Sequence, residues 1–151
     1  MNRTKGCYKC GKCLACPFIL KTTCVTGRMD IAELEIAHFI NCKRAGVVYL
    51  MKCACGTNYV GKTRRECRRQ IIEHVGDRKN KRNTSVATHI NEIHDGDTGV
   101  MKFFGVEHFV PTTRVGGIDR KLLQCEAKCI YWLNSKAPEG LNEGFTFRLF
   151  L

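Results

Sequence analysis

Cysteine is the residue that most constrains how this chain can fold. Eleven of its 151 residues are cysteine, and six of them lie before residue 43: Cys7, Cys10, Cys13, Cys16, Cys24 and Cys42. The count is odd, and the first residues, MNRTKGCYKC, lack the apolar stretch of a secretory signal. Two-residue spacings between cysteines are typical of metal sites in a reducing compartment. We therefore expect an intracellular protein that binds zinc.

Residues 1–45 are predicted to form a zinc-stabilised cysteine-rich segment. The segment has little regular periodicity and cannot build a core alone, so a bound metal ion is expected to supply folding energy. The preferred ligands are Cys10, Cys13, Cys16 and Cys42, with Cys7 and Cys24 as alternatives. The run CYKCGKCLACP also approaches the ferredoxin pattern, one residue short before the last cysteine, which keeps an iron–sulfur cluster as a competing interpretation.

Residues 46–151 have the pattern of an α+β domain with a small antiparallel sheet flanked by helices. The sequence predicts a hairpin with strands at Val47 to Cys53 and at Tyr59 to Gly61, and a third strand at Met101 to Val110. Helices are predicted from Thr63 to Val75, from Thr84 or Ser85 to His94, and from Asp119 to Leu133. In the first helix we expect four side chains to face inward: Cys67, Ile71, Ile72 and Val75.

The charge balance favours a polyanionic partner. Lys and Arg number 25 against 14 Asp and Glu, which gives a net charge of +11, and many of the basic residues lie between Lys62 and Arg82. A solvated basic surface is the alternative interpretation, but so large an excess in a short chain favours nucleic acid. The chain lacks a run of about 18 apolar residues, so we expect no membrane partner.

Five ordered motifs resemble the GIY-YIG endonuclease domain, and specifically the version carried by Penelope-like retroelements. They are GVVY at Gly46 to Tyr49, YVGKT at Tyr59 to Thr63, EH at Glu73-His74, LLQCEAKCIYWL at Leu122 to Leu133 and PEGLNE at Pro138 to Glu143. A C-x-C pair between the two tyrosines, the run THINEIH and an upstream cysteine-rich segment are also similar to that branch. The resemblance covers nearly the whole chain.

The resemblance implies a nuclear, metal-dependent DNA endonuclease. Such an enzyme nicks target DNA so that the freed 3′ end primes reverse transcription by a polymerase domain of the same element. Tyr49 and Tyr59 are expected to line the site, one of them as general base, with His74 facing it. Glu126 is the expected Mg²⁺ or Mn²⁺ ligand, and Asn142 is expected to brace the site. Without the resemblance, the tyrosines would equally suit cross-strand packing.

Double-stranded DNA is the expected substrate, and the residues expected to contact it follow the second tyrosine. Glycine lets a backbone approach phosphate closely, and cationic side chains neutralise phosphate charge. The predicted DNA-binding residues are Gly61, Lys62, Arg64, Arg65, Arg68 and Arg69.

Gln70 departs from the family pattern, which has an arginine four residues before the helix histidine. A neutral amide cannot stabilise a pentavalent phosphate as a guanidinium does. The sequence therefore leaves two functions open. One is an endonuclease whose activity is reduced, or restored by a neighbouring arginine. The other is a catalytically weakened, zinc-stabilised DNA-binding module derived from such a nuclease.

A second zinc site is predicted within the domain. Cys53 and Cys55 lie at the end of the hairpin, and His89 and His94 have the spacing that closes zinc fingers. The C-x-C spacing is tighter than the commoner C-x₂-C, and packing histidines with small apolar cysteines are the alternative. A four-coordinate ion here would join the second helix to the hairpin.

Overall fold

A computed structural model describes residues 4–25, 34–79, 84–110, 117–133, 135 and 140–142. The strands are β1 (Gly6–Tyr8), β2 (Cys24–Val25), β3 (Leu34–Glu35), β4 (Phe39–Asn41), β5 (Ala45–Cys53), β6 (Asn58–Glu66) and β7 (Met101–His108). The α-helices are α1 (Cys67–Lys79), α2 (Ser85–Ile93) and α3 (Gly117–Leu133). The predicted α+β class is confirmed. In this part of the chain no helix is long and apolar enough to cross a membrane.

The central element is an antiparallel sheet in the order β6-β5-β7. On the middle strand, Tyr49 pairs with Gly61 of β6 and with Gly105 of β7. Met51 pairs with Tyr59 in the same register. Since alternate residues of a strand share a face, Tyr49 and Tyr59 lie on one face of the sheet. The predicted small antiparallel sheet is confirmed.

The second strand is longer than the sequence predicted, and α1 starts later. Strand pairing continues past Gly61 as far as Glu66, which pairs with Ala45. The hydroxyl of Thr63 accepts the Arg65 N–H at 3.0 Å instead of capping a helix. The helix begins at Cys67, whose N–H donates to the carbonyl of Arg44 at 2.8 Å. The prediction of a helix from Thr63 was wrong because tertiary strand pairing holds the KTRRE segment extended.

Helix α1 buries a narrower face than expected. Cys67, Ile71 and His74 are buried, whereas Ile72 is 39% exposed and Val75 is only partly buried. Positions 67, 71 and 74 repeat at the helical period, while Ile72 is turned by about 100° from Ile71. The inward face therefore carries the polar side chain of His74 toward the sheet.

Of the two other helices, α2 packs against α1 and α3 packs on the sheet. The Thr84 hydroxyl caps α2 by accepting the Ala87 N–H at 3.1 Å, so Thr84 is the correct one of the two predicted starts, Thr84 and Ser85. Helix α3 packs along β6 and β5, where Glu126 and Asp119 contact Lys62 and Arg64. These contacts place acidic residues of α3 beside basic residues of β6.

The cysteine-rich segment packs directly on the edge of the sheet. Strand β1 pairs with β4, and β2 pairs with β3. The Leu20 N–H donates to the Phe103 carbonyl at 2.8 Å, and the Gly105 N–H donates to the Cys7 sulfur at 3.3 Å. Cys7, Phe103 and residues on both sides of position 45 belong to one hydrophobic core. The segments predicted as 1–45 and 46–151 thus share buried contacts.

Candidate metal centres and candidate active site

The first metal centre is formed by Cys10, Cys13, Cys16 and Cys42. Their ligand atoms all lie within 4.8 Å of one another. The Cys16 sulfur is 3.7 Å from that of Cys10, 3.5 Å from that of Cys13 and 3.7 Å from that of Cys42. Four thiolates at about 2.3 Å from a tetrahedral zinc are separated by about 3.8 Å, close to these distances. The cluster fits one structural zinc ion.

The same distances bear on the competing interpretations. Disulfide-bonded sulfurs lie about 2.05 Å apart, and every cysteine of the described residues is free. An iron–sulfur cluster holds its thiolates apart by the body of the cluster, whereas these sulfurs surround the space of one ion. Cys7 and Cys24, the alternative ligands, lie outside the group: Cys7 contacts Gly105 and Cys24 lies on β2.

Backbone and thiol hydrogen bonds prepare Cys16 for metal binding. Burial raises the pKa of the Cys16 thiol, but hydrogen bonds with the Gly11 backbone and with Cys13 lower it to about 6. Because the thiolate is the form that binds metal, Cys16 is available as a ligand at neutral pH. Burial raises the pKa of Cys42 in the same group, so this thiol would need a bound ion to favour its deprotonation.

The second metal centre unites Cys53, Cys55, His89 and His94, whose ligand atoms also lie within 4.8 Å of one another. The Cys53 sulfur is 3.0 Å from His94 Nε2, and the Cys55 sulfur is 3.3 Å from His89 Nε2. Desolvation raises the pKa of Cys55, but hydrogen bonds from Thr57 lower it to about 5. Two sulfur and two imidazole donors fit a structural zinc ion that joins the hairpin turn to α2.

The candidate active site centres on the hydrogen bond between Tyr49 and His74. The Tyr49 hydroxyl lies 2.8 Å from His74 Nε2, and both side chains are buried. The His74 ring also lies edge-on to Tyr59, with centroids 5.5 Å apart, and stacks on Phe103 at 5.7 Å. Phe103 was missed by sequence reasoning because an aromatic residue on a strand indicates only core packing.

Burial determines the protonation state of Tyr49. Desolvation raises its pKa well above the usual value, the charges of Tyr59, Cys67 and Glu126 add to this increase, and the nearby Gln70 side chain opposes it. Tyr49 is therefore a neutral phenol at physiological pH, able to donate its proton to His74 Nε2. Tyr59 is only partly buried and is the more accessible of the two phenols.

Gly61 makes room for the Tyr49 ring. A Cβ atom at this position would lie 2.3 Å from both Cζ and Oη of Tyr49. Sequence reasoning assigned Gly61 to close approach of phosphate. Its contact with Tyr49 is an additional physical reason why no larger residue fits at this position.

Gln70 lies near the tyrosine and bonds to an arginine. Arg65 Nη2 donates to Gln70 Oε1 at 2.8 Å and to Glu73 Oε2 at 2.6 Å. The Gln70 side chain also lies close enough to the Tyr49 hydroxyl to oppose the rise in its pKa. The arginine side chain is 52% exposed, so its guanidinium lies at the rim of the site. Its proximity to Gln70 has no sequence signal, because the two residues lie on different elements.

Glu126 lies on α3 with its carboxylate beside Lys62. The Lys62 Nζ is 3.2 Å from Glu126 Oε1, and the carboxylate side chain is 18% exposed. Burial raises the pKa of Glu126, and the charge of Lys62 opposes that increase. The charge of Glu126 also reaches Tyr49. Thus α3 brings the predicted metal-binding carboxylate beside β6, near enough for its charge to act on Tyr49.

Asn142 hydrogen bonds to the backbone of β6, the strand that carries Tyr59. Its Oδ1 accepts the Val60 N–H at 2.8 Å, and its Nδ2 donates to the Val60 carbonyl at 2.8 Å. The Ser135 hydroxyl donates to the same Oδ1 at 2.7 Å. This geometry agrees with the bracing role expected of Asn142. Pro138, Glu139 and Glu143 of the PEGLNE motif lie outside the described residues.

The predicted DNA-binding side chains extend from β6 onto the start of α1. Arg64 pairs with Asp119 at 3.3 Å, while Arg68 and Arg69 lie 3.2 and 3.5 Å from Glu66. All three arginines are at least partly exposed. These basic side chains thus lie on the same two elements, β6 and α1, as Tyr59 and His74. Lys81 and Arg82, from the end of the basic run, lie outside the described residues.

Comparison of the chain with family models, with curated proteins and with solved structures finds no match.

Proposed function

We propose that this protein is a metal-dependent DNA endonuclease of the GIY-YIG type, from a Penelope-like retroelement. In this proposal it nicks double-stranded DNA by phosphodiester hydrolysis, and a reverse transcriptase domain of the same element extends the 3′ end. The observation that carries the proposal is the contact of His74 with both Tyr49 and Tyr59, with Glu126 near enough for its charge to act on Tyr49. The ordered motifs that resemble the GIY-YIG domain provide independent sequence support.

Tyr49 and Tyr59 differ in accessibility, and this difference assigns them different roles. Tyr49 is buried and neutral, so it orients His74 instead of contacting substrate. Tyr59 is partly exposed beside His74, which makes it the phenol best placed to accept a proton from the attacking water. A phenol is a weak base near its ordinary pKa of about 10, so a nearby cation has to assist it.

Glu126 is the residue proposed to hold Mg²⁺ or Mn²⁺. A single carboxylate suits these oxygen-preferring ions, which commonly keep several waters and bind substrate phosphate as well. When bound, the ion supplies Lewis acidity at the phosphate and the leaving oxygen. In this arrangement Lys62, now 3.2 Å from Glu126 Oε1, keeps a positive charge beside the carboxylate and near the phosphate.

A test of this function uses supercoiled plasmid incubated with the zinc-loaded protein and Mn²⁺. We expect conversion to the open circle, and we expect a polymerase to extend the product because hydrolysis leaves a 3′ hydroxyl. Glu126→Ala should remove nicking, whereas Glu92→Ala, on the exposed side of α2, should not. Equal nicking by Glu126→Ala and the unaltered protein would point to a contaminating nuclease.

The second candidate is a catalytically weakened, zinc-stabilised DNA-binding module. The neutral side chain of Gln70 and the pairing of Lys62 with the only proposed metal-binding carboxylate favour it. Such a module would bind duplex DNA with a steep salt dependence, since phosphate contacts release counterions. Salt-dependent binding without any nicking in Mg²⁺ or Mn²⁺ would select this alternative.

A further inference from the structure

We propose that Arg65 supplies the positive charge that stabilises the scissile phosphate, and that Gln70 positions this guanidinium. The inference rests on the proposed nuclease function and extends it to a residue on β6. Hydrolysis of a phosphodiester places additional negative charge on the phosphorus oxygens in the transition state. A fixed guanidinium is well suited to that charge because its planar donors match two oxygens at once.

The Arg65 guanidinium is held by two side chains of α1. Its Nη2 donates both to Gln70 Oε1 at 2.8 Å and to Glu73 Oε2 at 2.6 Å. Gln70 and Glu73 lie on α1, so a strand residue is held against the helix that carries His74. Both bonds use one nitrogen of a group with five N–H donors, which leaves Nε and Nη1 to approach a phosphate. Half of the side chain is exposed, as contact with DNA requires.

Gln70 also lies between the arginine and the tyrosine. Its carbonyl oxygen accepts from Arg65, and its side chain lies close enough to the Tyr49 hydroxyl to lower the pKa of that phenol. An amide oxygen can accept from a guanidinium, whereas arginine at position 70 would have donors only. The neutral Gln70 side chain therefore holds in place the positive charge of Arg65, which lies on β6. Gln70 is a positioning residue, and Arg65 is the catalytic one.

Single-turnover cleavage at saturating duplex DNA tests this assignment. We expect Arg65→Gln to slow cleavage by about 100-fold or more, while the dissociation constant for the same duplex rises only a few-fold. Arg120→Gln on the exposed side of α3 removes the same charge and should leave the cleavage rate unchanged. The double variant that combines Arg65→Gln with Gln70→Arg should cleave at least ten-fold faster than Arg65→Gln alone. In this variant position 70, the other partner of the same hydrogen bond, supplies the guanidinium.

The outcomes separate the two levels of the argument. Cleavage by Arg65→Gln at the rate of Arg120→Gln would overturn this inference and leave the nuclease function intact. A complete lack of nicking by the unaltered protein would overturn the nuclease function and this inference with it. If Arg65→Gln fails to retain zinc, Arg65→Lys is measured in its place, since lysine can pair with Glu73 but lacks the planar guanidinium. Cleavage by Arg65→Lys that is roughly ten-fold slower than that of the unaltered protein supports the proposal, and an unchanged rate contradicts it.

Discussion

The Tyr49 hydroxyl lies 2.8 Å from His74 Nε2, and this hydrogen bond joins the central strand of the sheet to helix α1 within the core. Both groups are buried, so the bond both stabilises the fold and fixes the orientation of the imidazole. Tyr59 lies against the same ring but is more accessible. The two tyrosines thus have separable roles.

Removing the two hydroxyls should therefore give different results. Tyr49→Phe leaves a buried imidazole nitrogen without its partner and should lower the free energy of unfolding by about 1–3 kcal/mol. Tyr59→Phe should slow cleavage by about 10²–10⁴-fold with little change in stability. Chemical denaturation and single-turnover cleavage of both variants measure this contrast. A Tyr59→Phe variant that cleaves normally would remove Tyr59 as the base.

Two glycine substitutions test the packing around Tyr49. Gly61→Ala would bring a methyl group against the Tyr49 ring and should destabilise the protein by about 1–3 kcal/mol while displacing the hydroxyl from His74. Gly76→Ala lies in α1 where the added methyl meets no atom within 4 Å, so it should stabilise by about 0.5–1 kcal/mol. Thermal unfolding of the two variants measures the direction of both changes in stability. Destabilisation by both substitutions would contradict the packing argument.

Metal content tests the two zinc centres separately. We expect two zinc ions per chain, one for each of the two clusters, and no iron. Cys16→Ser and Cys55→Ser should each reduce the content to one ion, and Cys16→Ser should also weaken the fold because the ion stabilises the cysteine-rich segment. Cys24→Ser is the matched control and should retain two. Elemental analysis measures the metal content of each protein. Detection of iron, or loss of zinc from Cys24→Ser, would contradict the assignment.

The two metal clusters also illustrate what the sequence reveals. The cysteine-rich sequence already indicated Cys10, Cys13, Cys16 and Cys42, with Cys7 and Cys24 as alternatives. The structure brings Cys42 to the other three, since β4 pairs with β1 and returns the chain to the same place. The histidine spacing of THINEIH was equally informative. These ligands could be found because metal coordination restricts both the residue type and the spacing.

Other features were not accessible from the sequence. The extension of β6 to Glu66 depends on pairing with Ala45, and local propensity carries no information about such a distant partner. The Arg65–Gln70 contact and the stacking of Phe103 on His74 likewise arise only when separate elements pack together. The pattern predicted the hairpin and the helices well, whereas the exact bounds and the polar contacts between elements required tertiary structure.

The buried carboxylate of Glu126 should make stability depend on pH. Burial raises its pKa in the folded protein above the unfolded value of about 4.3, so the neutral acid is the form that the fold favours. Its contribution to stability is fully present below the unfolded pKa and is lost as the pH rises through the folded-state pKa. Glu126→Gln should therefore raise the melting temperature at pH 8 by up to a few degrees.

The Glu126→Gln advantage should shrink as the pH is lowered from 8 toward the unfolded-state value of about 4.3, because the parent carboxyl takes up its proton on the way. Thermal unfolding of both proteins across this range measures the difference. Glu92→Gln, on the exposed side of α2, is the control and should show no such trend. A constant difference at all pH values would mean that the substitution acts through packing and not through charge.

The central claim is that Tyr49, Tyr59, His74 and Glu126 form one hydrolytic site for DNA. The most direct measurement is the single-turnover nicking rate of a labelled duplex in Mn²⁺, with DNA affinity and zinc content determined on the same samples. Glu126→Ala should retain both zinc ions and nearly the parent affinity, yet nick at least about 100-fold more slowly. A parent protein that binds the duplex, holds both zinc ions and never nicks it would contradict the claim.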